Sequence, residues 1–248
     1  MNFQELLSGP RPVLLSSCSI PYDMRVLVLA PHPDDFDEIG VTLRFFRDNG
    51  NPIFVAVVSS GSSGVEDSFC SPPTKEKKTA VRQKEQAESC SFFGLPASHL
   101  TFLRLQEDPA GHPFDSRENF ERIQRHFLDV RPDMVFLPHG NDTNAGHQRT
   151  YAAFEKIASG TNYPITALLN KDPKTISMRS DLFTVFGDEE AQWKARLLGF
   201  HRSQHQRNLN TRRIGFDERI LSLNRKIARS YAENAGYAES FQLEFWAG

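Results

Sequence analysis

One short stretch, His32-Pro33-Asp34-Asp35, sets an imidazole and two carboxylates where they can share an ion or a proton. His32 and Asp35 lie three apart on a turn, so both can reach one cation while Asp34 points elsewhere. Far along the chain, the run from Pro138 to His147 adds His139, Asp142 and Asn144 before a further imidazole, His147. His147 would complete a His/Asp/His set with His32 and Asp35. Zinc held by three protein ligands keeps a position open for water, which is the catalytic arrangement rather than the structural one. Such an ion lowers the pKa of water and polarises a carbonyl oxygen. Asp34, adjacent to a ligand without being one, is positioned to take a proton from that water. The competing reading is plain: Asp34 or Asp35 is also a good N-cap for a following helix.

Shared chemistry requires that the two segments meet, and the hydrophobic pattern indicates how. Arg25 to Ala30 (RVLVLA) is a short apolar run, the signature of a strand buried on both faces, and Pro31-His32-Pro33 ends it. Phe36, Ile39, Leu43 and Phe46 recur at helical steps, and Asn49-Gly50 closes that helix. Ile53 to Val58 reads as the next strand, followed by a Ser/Gly/Pro-rich loop from Ser59 to Thr74. A charged helix runs from Lys75 to Phe93 with Gly94 as C-cap. Strand Leu100 to Leu105, helix Arg117 to Val130 and strand Met134 to Leu137 continue the alternation. After Thr150 come a helix (Tyr151, Phe154, Ile157) and strands near Ile165 to Leu169 and Leu182 to Phe186. A helix starts near Asp188, and a long one carries Phe216, Ile220, Leu223, Ile227 and Tyr231, with Gly236 as its stop.

Alternating strands and helices predict an α/β, Rossmann-like three-layer fold with a mostly parallel sheet. Its core is expected over about residues 25–160, with a C-terminal extension over about 161–248, in a single domain. In such sheets ligands bind outside the carboxyl ends of the strands, where the loops after residues 30, 58 and 138 fall.

Composition narrows the function classes. In 248 residues, 29 Lys+Arg stand against 31 Asp+Glu, so no basic field argues for nucleic-acid binding. Twenty Phe and 39% hydrophobic residues exclude a disordered chain. No apolar run approaches bilayer length, and Pro12 to Ile20 lacks the basic leader of a signal peptide. Cys18, Cys70 and Cys90 are scattered, without CxxC spacing. The expectation is a soluble, cytoplasmic protein without stable membrane insertion.

PHPDD after a buried strand, followed much later by His147, resembles the LmbE/PIG-L family of zinc-dependent N-acetylglucosamine deacetylases. Further pieces extend the likeness: Arg82-x-x-Glu85 before Phe93-Gly94, Leu105-x-x-Asp108, Lys194-Ala195 through His201-Arg202-Ser203-Gln204, and Tyr237-Ala238-Glu239-x-Phe241. The match spans roughly residues 25 to 241. It implies one Zn2+ per chain, or another divalent ion, on His32, Asp35 and His147, with Asp34 as base. It also implies substrate contacts at Arg82, Asp108 and Asp142, a small amino-sugar substrate, and a homo-oligomer, since members often form trimers or hexamers. Two departures stand out. Phe36 replaces the Glu that many members have after the two Asp, with Asp37 and Glu38 following. Asn144-Ala145-Gly146-His147 replaces H-P-D-H, so Asn144 has lost the imidazole credited with acid or oxyanion help. Asn144 can donate to an oxyanion but cannot deliver a proton; Asp34 would return the proton, or His139 would substitute.

Other readings remain beside these. Arg82 and Glu85 have the spacing of a surface ion pair, and Asp108 the place of a strand terminator. Gly61 to Gly64 lacks a phosphate-loop signature and reads as an ordinary loop. The basic stretch of His201, Arg202, His205, Arg207, Arg212 and Arg213 reads as solvated surface or a site edge, and His99, His112 and His126 carry no assigned role. A metal-dependent amidase acting on a non-sugar amide would use the same ligands. A metal- or nucleotide-binding protein without catalysis would also fit the altered third loop.

Overall fold

The computed structural model describes residues 9–231 (Tyr231 by its backbone alone) and 236–247. Strands β1 (Val13–Leu14), β2 (Val26–Ala30), β3 (Ile53–Val57), β4 (Leu100–Phe102), β5 (Met134–Pro138), β6 (Ile165–Asn170), β7 (Leu182–Phe186) and β8 (Tyr237–Trp246) form one sheet. Its order is β1-β7-β8-β6-β5-β2-β3-β4. Strand β8 is antiparallel to β6 and β7, and every other pairing is parallel. The α/β class expected from the alternation is the observed one.

Strand β2 shows why the sheet needs two covering layers. All five of its residues are buried. Val26, Val28 and Ala30 join one core with Phe36, Leu43, Phe46, Phe93 and Leu197, while Leu27 and Leu29 join the other with Ile123, Phe127, Phe154 and Ile157. Helices α1 (Asp35–Glu38), α2 (Gly40–Asp48), α3 (Lys75–Phe93) and α6 (Asp188–Leu198) thus supply one face, and α4 (Arg117–Val130) and α5 (Ala145–Ser159) the other. Helices α7 (Arg202–Arg212) and α8 (Phe216–Tyr231) follow α6.

The chain steps outward from β2 to β3 and β4, then returns past β2 to β5 and β6. The order therefore reverses between β2 and β5, and the loops after these two strands flank a crevice at the reversal. The first of these loops carries His32, and the second leads into the first turn of α5, which carries His147.

Two expectations are corrected. The helix expected from Phe36 through Phe46 is broken at Ile39, whose φ of −114° and ψ of 23° leave the helical region. Side chains replace the helical partners there: Lys194 Nζ donates to the Glu38 carbonyl (2.5 Å), and Glu239 accepts from the Val41 and Thr42 amides. The sheet does not stop near residue 160, since β6, β7 and β8 are integral to it. The basic stretch after His201, expected as solvated surface or a site edge, lies mostly on a helix, α7. Helix α8 is described as far as Tyr231; residues 232–235 lie outside the described residues, and its expected stop, Gly236, follows directly after them. Among the described residues, no helix is long and apolar enough to cross a membrane.

Candidate metal centre and active site

His32 and Asp35 enter the crevice from the turn after β2. Asp35 Oδ2 accepts the His32 amide at 2.6 Å and lies 3.2 Å from His32 Nδ1. His147 arrives from the first turn of α5, its Nε2 3.5 Å from Asp35 Oδ1. The two imidazole centroids are 5.2 Å apart. One ligand atom from each of His32, Asp35 and His147 lies within 4.8 Å of the other two. Gly146 permits this approach, because a Cβ there would stand 3.0 Å from His32 Nε2.

These residues fit a divalent cation. His147 Nε2 is buried and has no hydrogen-bond partner, an orphan that a metal would satisfy. Burial opposes a charge on His147, but Asp35 and Asp142 outweigh it and lift its pKa to about 10. Burial likewise opposes ionisation of Asp35, yet His147 and His32 hold its carboxyl well below the usual range. The pocket thus stabilises one positive charge, whether carried by a proton or by an ion. Two imidazoles and one carboxylate suit zinc and similar borderline ions.

Asp34 occupies strained backbone, with φ 123°; such conformations cost about 1–3 kcal/mol and cluster at functional sites. It caps nothing with its side chain. Its amide donates to Gln86 Oε1 at 2.9 Å, and its Oδ2 lies 3.0 Å from Arg82 Nη2. Burial raises the Asp34 pKa against the pull of Arg82. Arg82, expected to contact substrate, is only 1% exposed and is committed to Asp34, the Pro33 carbonyl and Glu85. The His201-x-Ser203-Gln204 element docks on this pair: Ser203 binds Glu85 through both its amide and hydroxyl at 2.7 Å, and His201 Nε2 lies 2.7 Å from Asp37.

All of this opens into a cavity of about 470 Å3. His32, Asp34, Asp35, Arg82 and Asn144 line it. Asn144 caps α5 through Oδ1, accepting the Gly146 amide at 2.8 Å, so its Nδ2 is left to donate. Three expected site residues are directed elsewhere. His139 accepts the Asn141 amide through Nδ1, stacks on Tyr151 and does not line the cavity. Asp142 is fully buried behind His147, 3.2 Å from its Nδ1, where it orients the ring and does not line the cavity. Asp108 braces a turn, accepting the Ala110 and His112 amides and pairing with Arg149 at 2.7 Å.

The cavity also contains residues to which the sequence reading gave no role. That turn brings His112 into the lining, its Nδ1 buried without a partner. Glu38, one helical turn after Asp35, faces the cavity too, pushed well above the carboxylate range by burial and by Asp172 and Asp35. Phe36, in the position many relatives give to Glu, packs edge-on against Phe93 in the core.

A family profile for PIG-L, GlcNAc-PI de-N-acetylase, matches residues 27–158, more than half of the chain and all three ligands. The chain belongs to the PIG-L family. This is a family of metal-dependent hydrolases acting on amide bonds. A comparison with curated proteins finds no match. Solved structures share the PIG-L fold. N,N'-diacetylchitobiose deacetylase from Pyrococcus horikoshii aligns with a TM-score of 0.72 at 18% identity, over 89% of this chain and 84% of that one. A teicoplanin-pathway deacetylase aligns at 0.67 and 16% identity over 89% and 98%. GalB, the 4-carboxy-2-hydroxymuconate hydratase of Pseudomonas putida KT2440, aligns at 0.66 and 18% identity over 89% and 95%. At these identities the likeness concerns the fold, and the hydratase among them means that the fold alone does not choose the reaction.

Proposed function

We propose that this PIG-L member is a zinc-dependent N-deacetylase that removes the acetyl group from an N-acetylglucosamine-type amino sugar or its small-molecule conjugate. The observation that carries the reading is the convergence of His32, Asp35 and His147 beside the strained Asp34, at the wall of a cavity that His32, Asp34 and Asp35 line. His32, Asp35 and His147 hold the ion, which when bound supplies Lewis acidity toward the amide carbonyl and acidifies water.

The chain's own groups do the rest. Asp34 Oδ1 has no protein partner among the described residues, so it is available to receive a proton while Arg82 fixes Oδ2. Burial raises the Asp34 pKa, which favours its holding that proton and handing it to the leaving amine. One residue then serves as base and acid, which matters because Asn144 stands where many relatives have an imidazole. Asn144 Nδ2 donates to the carbonyl oxygen as negative charge develops there. Asp142 sets the His147 ring, and Arg82 sets Asp34. The reading treats the chain as one catalytic domain working in the cytoplasm on a soluble substrate.

The test is acetate release from N-acetylglucosamine and its conjugates by zinc-loaded protein, with metal content measured alongside. About one ion per chain, lost in His147→Ala but kept in an Asp34→Asn variant that no longer turns over, is the expected result. Unchanged turnover in Asp34→Asn removes Asp34 as the base, and zinc-loaded protein that releases no acetate overturns the function.

A further inference from the structure

The inner wall of the cavity is acidic, through Asp34, Asp35 and Glu38, whereas its outer wall is basic. Arg207 and Arg212 on α7, Arg219 on α8 and Lys174 in the loop after β6 all line it. None of the four has a carboxylate within 4.0 Å among the described residues. Carboxylates are close by but engaged elsewhere: Asp217 faces His205 at 3.3 Å, and Glu66 accepts from Asn210 at 2.6 Å. The guanidinium groups also act on one another, since burial and then Arg219 and Arg207 push the Arg212 pKa down. Clustered like charges raise the energy of the empty site, and a bound anion relieves it. Behind the cluster, Asn208 is 4% exposed, lines the cavity and holds a buried Oδ1 without a partner, an acceptor suited to a sugar hydroxyl rather than to the oxyanion itself. A neutral acetylated sugar would leave these cations unused.

We propose that this outer wall is an oxyanion subsite, so the substrate is an amino sugar that carries a phosphate or carboxylate group. The proposal rests on the deacetylase reading and names its substrate class. Guanidinium groups suit both oxyanions because their paired N–H donors match two oxygens at once. The acetamido end lies toward Asp34, and the acidic end faces α7 and α8. The cavity volume, about 470 Å3, is that of a site for a small molecule.

The experiment uses zinc-loaded protein and titrates four probes at low salt: N-acetylglucosamine, its 1-phosphate, its 6-phosphate and N-acetylglucosaminuronate. At least one charged sugar should bind tenfold or more tightly than the neutral one, and whether a phosphate or the uronate leads identifies the group. In Arg212→Gln/Arg219→Gln that ratio should fall to about one. Both residues sit at the surface, and metal content serves as the check that the variant is folded. Arg202→Gln, on the same helix but outside the cavity, should keep the ratio. Equal binding of all four probes, or a ratio retained in the double variant, overturns the subsite. Acetate release from the same probes separates the two readings. Charge-selective binding without acetate release leaves the subsite standing and removes the deacetylase, while release at equal efficiency from neutral and charged sugars does the reverse.

Discussion

Two buried ionic clusters flank the short helix α1, and they differ in how completely they are satisfied. On one side, Lys194 Nζ donates to the Glu38 carbonyl, Asn224 Oδ1 (2.8 Å) and Glu239 Oε1 (2.7 Å), and Glu239 takes two amides of α2. All three ammonium protons have acceptors, and neither charged side chain lines the cavity. On the other side, Arg82 reaches Asp34 and Glu85, yet Arg82 Nε and Asp37 Oδ1 are buried without partners, and Asp34 lines the cavity. A saturated cluster has one arrangement and fixes backbone, whereas an unsaturated one keeps capacity for a proton or a ligand. The first should therefore govern stability and the second turnover.

The largest effect expected from this contrast is catalytic. Asp34→Asn should lower kcat by about 10²–10⁴-fold while leaving the urea unfolding midpoint close to that of the parent chain. A stability loss matching that of a Lys194 variant would erase the distinction. Lys194→Met should cost about 3–5 kcal/mol in urea unfolding at neutral pH, because Glu239 is left buried and unpaired. A loss below about 1 kcal/mol would show that the cluster is not the scaffold described.

A smaller effect concerns pH. In metal-free protein His147 has a pKa raised from 6.5 to about 10 by Asp35 and Asp142 against burial. Its protonated form therefore contributes stability that is complete below the unfolded value and is lost as pH rises through the folded one. The thermal midpoint of metal-free protein should decline across that window. Zinc affinity should move the opposite way, strengthening by up to about tenfold per pH unit, since the proton must leave before the ion binds. Zinc titrations at pH 6.5 and 8.5 that agree would sink the idea. The smallest effect separates the two ends of one side chain. Asn144→Ala should cost about 1 kcal/mol through the lost cap, while Asn144→Ser should keep that stability but lose the amide donor. Equal unfolding midpoints for the two variants would count against the capping role.

Much of the centre was legible because its parts are local. The apolar run at Arg25 to Ala30 and the turn behind it lie close in sequence to His32 and Asp35, whereas the helix that carries His147 opens at Ala145, ahead of the Tyr151 from which its periodicity reads. What escaped was set by remote partners. His139 and Asp108 looked like site residues, but Tyr151 and Arg149, both on α5, draw them aside. His112 carried no spacing signal, because a turn locked by Asp108 delivers it. Helix α7 (RSQHQRNLNTR) has almost no apolar periodicity, and is held instead by Ser203 on Glu85 and Gln204 on the Gly64 carbonyl. Strand β8 hid its nature because Glu239, Ser240 and Gln242 are buried polar residues, whose partners Lys194, Ser180 and Arg179 come from elsewhere in the chain.

Strand β8 also bears on the order of assembly during synthesis. It is translated after both of its neighbours, yet it lies between them in the sheet. Until it emerges, a nascent chain has two open strand edges, at β6 and at β7, of the kind that chaperones must shield. Glu239 rides on β8, so the α2 amides that it anchors also wait for this strand. A ribosome-stalled chain ending before Tyr237 should therefore expose its β6 and β7 edges to protease, and release of ten further residues should protect them.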